Sequence, residues 1–241
     1  MEIERRITMN CAIFLTIRIK STRTPNKALL EINGETVTDI LIKRLQKTKI
    51  PIILCTTDEP EDKRYLKPIA DKYGLGYHEA PAGNIIKQHL DCAKKHGIDF
   101  IINQDGDDIL STPEVIQAVY NHTIGKKHIF PIKTVGLPLG LNVIGYPARK
   151  LTEIDFDKDT NWGAQIFTGK HTEIKFNYDI PARLTMDYPE DLTVIETILT
   201  HCKRNLLVGG ICDYLQKHPE IAQINLHLNG EYFRRLEELS K

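Results

Sequence analysis

The feature that most constrains the fold of this chain is an alternation of short apolar runs with longer segments of helical period. Strands are predicted at Ala12–Ile17, Ile52–Thr56, Phe100–Asn103, His128–Ile132, Leu141–Tyr146, Glu173–Tyr178 and Arg183–Met186. Helices are predicted at Val37–Lys47, Pro60–Tyr73, Ile85–His96, Pro113–His122, Pro147–Ile154 and Tyr188–Cys202. In the first helix Val37, Ile40, Leu41 and Leu45 recur at the spacing of a helix laid on a sheet, with the aliphatic stem of Arg44 at the edge. This βαβα rhythm implies an α/β fold with a mostly parallel, doubly wound sheet. Ligands of such sheets lie beyond the carboxyl ends of the strands, so the loops after Ile17, Thr56 and Asn103 are expected to share one crevice. The expected organisation is an α/β domain over 1–201 and a helical appendage over 202–241. The appendage reads as short helices at Val208–Lys217, Pro219–Ile224 and Gly230–Leu239 that cap the domain or pair with another subunit.

Composition removes several classes of function. With 32 cations against 32 acids the net charge is zero, which gives no general attraction to nucleic acid or to an anionic membrane. No apolar run approaches the roughly eighteen residues of a membrane span, and Met1–Arg6 is mixed in charge with no secretory core behind it. The five cysteines, Cys11, Cys55, Cys92, Cys202 and Cys212, are odd in number, widely spaced and never CxxC. That spacing argues against a disulfide framework and against a structural zinc site, and a reduced cytoplasmic setting is expected.

Three loops carry chemistry. Directly after the first apolar run, Arg18, Lys20, Arg23 and Lys27 place four cations within ten residues and no acid among them. In a neutral chain this is a local concentration, and it reads as a polyphosphate cradle in which each charge-assisted bond contributes roughly 1.5–3 kcal/mol. The second loop, Gln104-Asp105-Gly106-Asp107-Asp108, runs from a buried-looking strand into three carboxylates around a glycine. Hard oxygen ligands of this kind suit Mg²⁺ completed by water and substrate phosphates, although a solvated turn would use the same residues. The third is Asp187-Tyr188-Pro189-Glu190-Asp191, in which Glu190 and Asp191 suit the first turn of a helix. Asp187 fits either a helix N-cap or a second metal ligand.

Taken together, Arg18-x-x-Ser21-Thr22-Arg23-x-Pro25-x-Lys27, Gly106-Asp107-Asp108 and Asp187-x-Pro189-Glu190-Asp191 resemble the cytidylyltransferases that make CMP-activated acidic sugars. The likeness extends over residues 12–200 and is closest to the spore coat polysaccharide biosynthesis protein F type, related to CMP-KDO and CMP-sialic acid synthetases. Cys55–Asp62 and Pro138–Val143 are similar to further segments of that family. The resemblance implies a nucleotide-diphosphosugar transferase (Rossmann-like) fold, CTP and a small anionic acceptor as substrates, Mg²⁺ as cofactor, and a homodimer. It places Arg18, Lys20, Ser21, Arg23, Lys27, Thr56, Gln104 and Asp105 at the nucleotide, gives Arg18, Arg23 and Lys27 catalytic work on the phosphates, and gives Asp107 and Asp187 the metal.

The chain departs from the family pattern at Gln88-His89, where an Arg-Tyr pair is common, and at Asn161–Gln165 in the acceptor half. Trp162 reads as packing or as a surface for a sugar, and His89 and His96 as surface or satisfied core residues. Rival readings are a cytidylyltransferase for a phosphate or phosphonate acceptor, a glycosyltransferase using Asp105-Gly106-Asp107 as a DxD motif, and a silent nucleotide-binding homologue.

Overall fold

The computed structural model describes residues 9–21, 23–124, 129–154, 162–203 and 205–238. Its sheet has seven strands in the order β5-β4-β1-β6-β8-β7-β9. These are β1 (Cys11–Thr16), β4 (Ile52–Thr57), β5 (Gly76–Ala80), β6 (Phe100–Asp105), β7 (Ile132–Val135), β8 (Ile144–Pro147) and β9 (Thr172–Lys175), while β2 (Glu31–Ile32) and β3 (Glu35–Thr36) form a small hairpin apart. The pairs β1·β4, β1·β6, β4·β5 and β7·β9 are parallel, whereas β8 runs antiparallel to both β6 and β7. The predicted mostly parallel, doubly wound sheet is therefore present.

Alternation along β1 splits the core into two layers. Ile13 and Leu15 face a large layer built with α1 (Val37–Gln46), α2 (Pro60–Tyr73), α4 (Pro113–Thr123) and α6 (Pro189–His201). Ala12 and Phe14 face a smaller one with α3 (Ile85–His96) and a 3₁₀ segment at Ala148–Glu153. The larger layer also takes in Val208, Ile211, Cys212, Leu215 and Ala222, from α7 (Val208–Lys217) and α8 (Pro219–Leu226). Two short pieces complete the description, α5 (Trp162–Ile166) and α9 (Leu228–Glu238). Among the described residues no helix is long and apolar enough to cross a membrane.

Chain order dictates where a ligand can lie. From β1 the chain winds outward through β4 to β5, then crosses back to place β6 on the other side of β1. The connections leaving β1 and β6 diverge at this switch point and open a crevice at their carboxyl ends.

Some sequence expectations shift. β5 was not foreseen, because Gly76-Tyr77-His78-Glu79-Ala80 is an edge strand of mostly polar residues. β7 starts at Ile132 instead of ending there, since Pro131 has no N–H and its carbonyl receives Thr172 N at 2.8 Å. His128 lies outside the described residues. Arg183–Met186 is not a strand; only a bridge between Arg183 and Leu139 forms there. Arg44 is buried as a whole and not only by its stem: its guanidinium donates to the carbonyls of Ser111, Leu110 and Leu206 at 2.9–3.0 Å. Burial pulls its pKa down to about 10.

β8 begins late because the chain first turns at Pro138–Leu141, with Leu141 N donating to Pro138 O at 3.1 Å. Gly140 sits there at φ 94°, and a Cβ on it would lie 2.4 Å from the Leu184 carbonyl carbon. Gly140→Ala is therefore expected to destabilise the protein by at least about 2 kcal/mol, since strain and overlap add. A urea titration comparing midpoints at unchanged slope checks this.

Candidate active site

The first loop leaves β1 under tight backbone control. Ile17 N donates to Cys55 O at 3.0 Å, and Ile19 N donates to the buried Asp62 carboxylate, on the first turn of α2, at 2.7 Å. Asp62 also accepts the Thr57 hydroxyl, so α2 and β4 together fix the loop. Asn26, in the left-handed region at φ 54°, starts the 3₁₀ turn Lys27–Leu29, and Lys27 reaches across the crevice from it.

Lys27 Nζ lies between two carboxylates, 3.0 Å from Asp107 and 2.8 Å from Asp187, and donates to Met186 O at 2.9 Å. Burial alone would lower its pKa, but the charges of Asp107 and Asp187 more than offset this and raise it. Arg23 pairs with the same Asp187, and Thr24 Oγ1 donates to Asp187 O at 2.6 Å. Burial works to raise the Asp187 pKa, yet Lys27 and Arg23 hold it below its ordinary value. The carboxylate is thus ionised and fixed.

The opposite wall comes from β6. Gly106 N donates to Thr16 O at 2.9 Å, and a Cβ at Gly106 would meet Ile17 Cγ1 at 2.6 Å, so the turn lies flat against the root of the first loop. Asp105, Asp107 and Asp108 follow, with one carboxylate oxygen of each within 4.8 Å of the others. Asp105 borders the cleft, yet enclosure by protein and then the neighbouring Asp107 charge push its carboxyl up to about 6. Burial, then Asp107 and Asp105, push Asp108 well above the carboxylate range.

Behind Asp187 stands a buried network. Arg183 is fully buried and donates to Asp191 through Nε at 2.9 Å and Nη2 at 3.2 Å, and to Asp187 at 3.2 Å. Asp191 accepts the backbone N–H groups of Asp187 and Tyr188 at 2.8 and 2.9 Å. Asn225 on α8 donates to Asp191 and to Arg183 O at 2.8 and 2.9 Å. The expectation that Asp191 serves only a helix dipole is corrected: it is the charge partner that allows Arg183 to be buried.

The cleft encloses about 480 Å³ and is lined on one side by Arg18, Ser21, Arg23 and Lys27, and on the floor by Asp105, Gly106 and Asp107. Its other wall is Thr56, Thr57, the loop Pro81–Asn84 and Gln88. Thr56 Oγ1 is buried with no hydrogen-bond partner among the described residues. Lys20 is not brought in; it faces solvent and pairs with Glu59 at 2.9 Å. Gln104 is also outside the lining, because alternation along β6 buries its side chain, which donates to Asp105 O at 3.0 Å. Thr22 and Asn161 lie outside the described residues, as does the Trp162 side chain. The sequence reading missed the Pro81–Asn84 loop, marked by Pro and Gly before the Asn84 cap of α3, and Tyr232 of α9, which lines the cleft from far along the chain and has no local signal.

Residues 12–128 match the cytidylyltransferase family model. That segment, just under half of the chain, is similar to the cytidylyltransferase family. It holds the first loop, Thr56 and the acids after β6, while Asp187 lies beyond it. A solved cytidylyltransferase from Leptospira borgpetersenii superposes with a TM-score of 0.80 at 22% identity, covering 89% of this chain and 97% of that one. CMP:2-keto-3-deoxy-manno-octonic acid synthetase complexed with CTP gives 0.61 at 12% identity, over 80% and 99%. A Mycobacterium tuberculosis protein solved with manganese gives 0.55 at 14% identity, over 76% and 95%. At these identities the likeness is one of fold, shared with proteins that bind CTP in one case and a divalent metal in another.

The departure at Gln88-His89 has a local explanation. Gln88 Nε2 donates to Thr56 O at the cleft wall, whereas His89 is buried between Thr16 Oγ1 at 2.9 Å and the Tyr146 hydroxyl at 2.8 Å. Burial, with a small contribution from His78, pulls the His89 pKa down to about 3. An unfolded histidine titrates near 6.5, so between about 3 and 6.5 the unfolded chain binds the extra proton. Stability should therefore fall as pH drops through that window, with a slope near 1.4 kcal/mol per pH unit from this residue. Urea titrations across pH should show a shallower slope for His89→Gln.

Proposed function

We propose that the protein transfers CMP from CTP to a small anionic acceptor, foremost a sugar acid attacking through a hydroxyl, and releases pyrophosphate. The observation that carries this reading is the single cationic position, held by Lys27 Nζ, on which Asp107 and Asp187 converge beneath Arg18 and Arg23. A fixed carboxylate pair of this kind fits Mg²⁺, the cofactor of this reading, with Asp107 and Asp187 as its protein ligands. When bound there, such an ion supplies Lewis-acid charge to phosphoryl oxygens.

The residues divide the rest of the work. Arg18, Ser21 and Arg23 bind and orient the triphosphate, and Thr56, the Pro81–Asn84 loop and Gln88 face the nucleoside. In the transfer, an acceptor oxygen forms a bond to the α-phosphorus while the bond from that phosphorus to the β-bridging oxygen breaks. Negative charge grows on pyrophosphate, and Lys27 and Arg23 neutralise it where it develops. The cleft's three cations suit a triphosphate and its leaving group better than a sugar-nucleotide diphosphate. The similar fold of a synthetase named for a sugar acid supports the acceptor class. The reading further takes 1–201 as the cytidylyltransferase-like α/β domain with 202–241 as a helical appendage that contributes Asn225 and Tyr232 to the site, and the enzyme as a cytoplasmic homodimer; the five free cysteines are compatible with that compartment.

The test is a pyrophosphate-release screen of four nucleoside triphosphates against sugar acids, phosphates and phosphonates. CTP with a sugar acid should turn over, and Lys27→Ala should lower kcat by about 10²–10³. No turnover with any acceptor, together with no Mg²⁺-dependent CTP binding, would sink the reading.

A further inference from the structure

Away from the cleft, three metal-ligating side chains meet on the face of the sheet covered by α3. Cys55 and His78 are register partners on the adjacent parallel strands β4 and β5, so their side chains leave the same face. Cys92 and His96 are one turn apart on α3. The ligand atoms of His78, Cys92 and His96 all lie within 4.8 Å of one another. Cys55 Sγ stands 3.6 Å from Cys92 Sγ.

The hydrogen-bond accounting is what separates this cluster from ordinary core. His78 is only 7% exposed, and among the described residues neither of its ring nitrogens has a partner, nor does the buried Nε2 of His96. A buried polar atom without a partner costs on the order of 1–3 kcal/mol, and three in contact are not explained by packing. Neutral imidazoles with a thiolate are borderline-soft donors, suited to zinc and ill suited to magnesium.

We propose that His78, Cys92 and His96 form a zinc-binding site, with Cys55 available as the fourth ligand, that fastens α3 to β4 and β5. Tetrahedral zinc with bonds of 2.0–2.3 Å sets ligand atoms about 3.3–3.8 Å apart, so the present spacing must close by about an ångström. His96, half-exposed at the end of α3, is free to supply that movement and gives the ion a route in from solvent. Zinc binding releases the Cys92 thiol proton to solvent and changes no oxidation state. The site is structural in kind. The other end of the same helix, through Asn84 and Gln88, lines the nucleotide cleft, about 18 and 12 Å respectively along the axis from His96. The spacing argument against zinc fails here because the ligands come from two strands and a helix and share no local motif.

The test uses the full chain, stripped by chelator and held in saturating Mg²⁺ so that the carboxylates of the cleft are occupied. Zn²⁺ titration should show one equivalent bound and a higher Tm. Co²⁺ in its place should give thiolate-to-metal charge-transfer absorption, which an oxygen-ligated ion at the acidic cluster cannot produce. Cys92→Ser should at least halve that absorption, the remainder coming from Cys55, and weaken Zn²⁺ binding by more than the 10–100-fold typical of losing an outer-shell partner, while Cys55→Ser/Cys92→Ser should remove the band. His96→Gln, at a half-exposed position that tolerates substitution, should weaken Zn²⁺ binding while circular dichroism stays unchanged. Absence of the charge-transfer band in the unaltered protein, its persistence at full intensity in Cys92→Ser, undiminished affinity in His96→Gln, or a Cys55–Cys92 disulfide by mass spectrometry in the freshly purified protein would each overturn the proposal.

Discussion

The interaction on which the site depends is the fully buried fork between Arg183 and Asp191. Neither charge could be enclosed alone, because an unpaired ion inside protein costs several kcal/mol even after relaxation. Together they form a rigid bracket. Asp191 takes the Arg183 guanidinium and two backbone amides, and Arg183 spends its remaining reach on Asp187. The carboxylate that meets the first loop is therefore placed from behind, by groups that never face the cleft.

Two opposed electrostatic demands are balanced across the crevice. Asp105, Asp107 and Asp108 crowd one turn, and enclosure by protein, with the neighbouring acid charges second, raises the pKa of Asp105 and Asp108. On the far side Lys27, Arg23 and Arg183 surround Asp187 and keep it charged. Lys27 joins the halves. Lys27 and Arg23 are already engaged with Asp107 and Asp187, so a polyanion that reaches them must compete with those acids.

Much of this was legible in the sequence, and the reason is local. Helices α2 and α3 match their predicted bounds because their punctuation is strong: Pro60 opens α2, Asn84 caps α3, and Gly74 and Gly97 end them in the left-handed region. The cations of the first loop and the acids after β6 were readable because each set is contiguous. Arg183–Met186 misled, since its alternation looks like a strand while its polar residues are buried to serve a network instead of a ladder. Lys20 and Gln104 belong to the right loops but to the wrong faces, which depends on register that the residues alone do not reveal. Asn225, Tyr232 and the His78–Cys92 contact were hidden for a different reason, being products of topology over long separations.

Asn225 and Tyr232 bear on how the molecule is made. The β1–β6 switch point that defines the crevice is complete within the first 105 residues, yet the bracket behind Asp187 is closed by a side chain 34 residues beyond Asp191. During synthesis the chain therefore emerges from the ribosome with the residues of the first loop and of β6 already made and Asp187 still unbraced. Competence is acquired late, when α8 docks, and a nascent chain stalled before residue 225 would display the fold without the geometry.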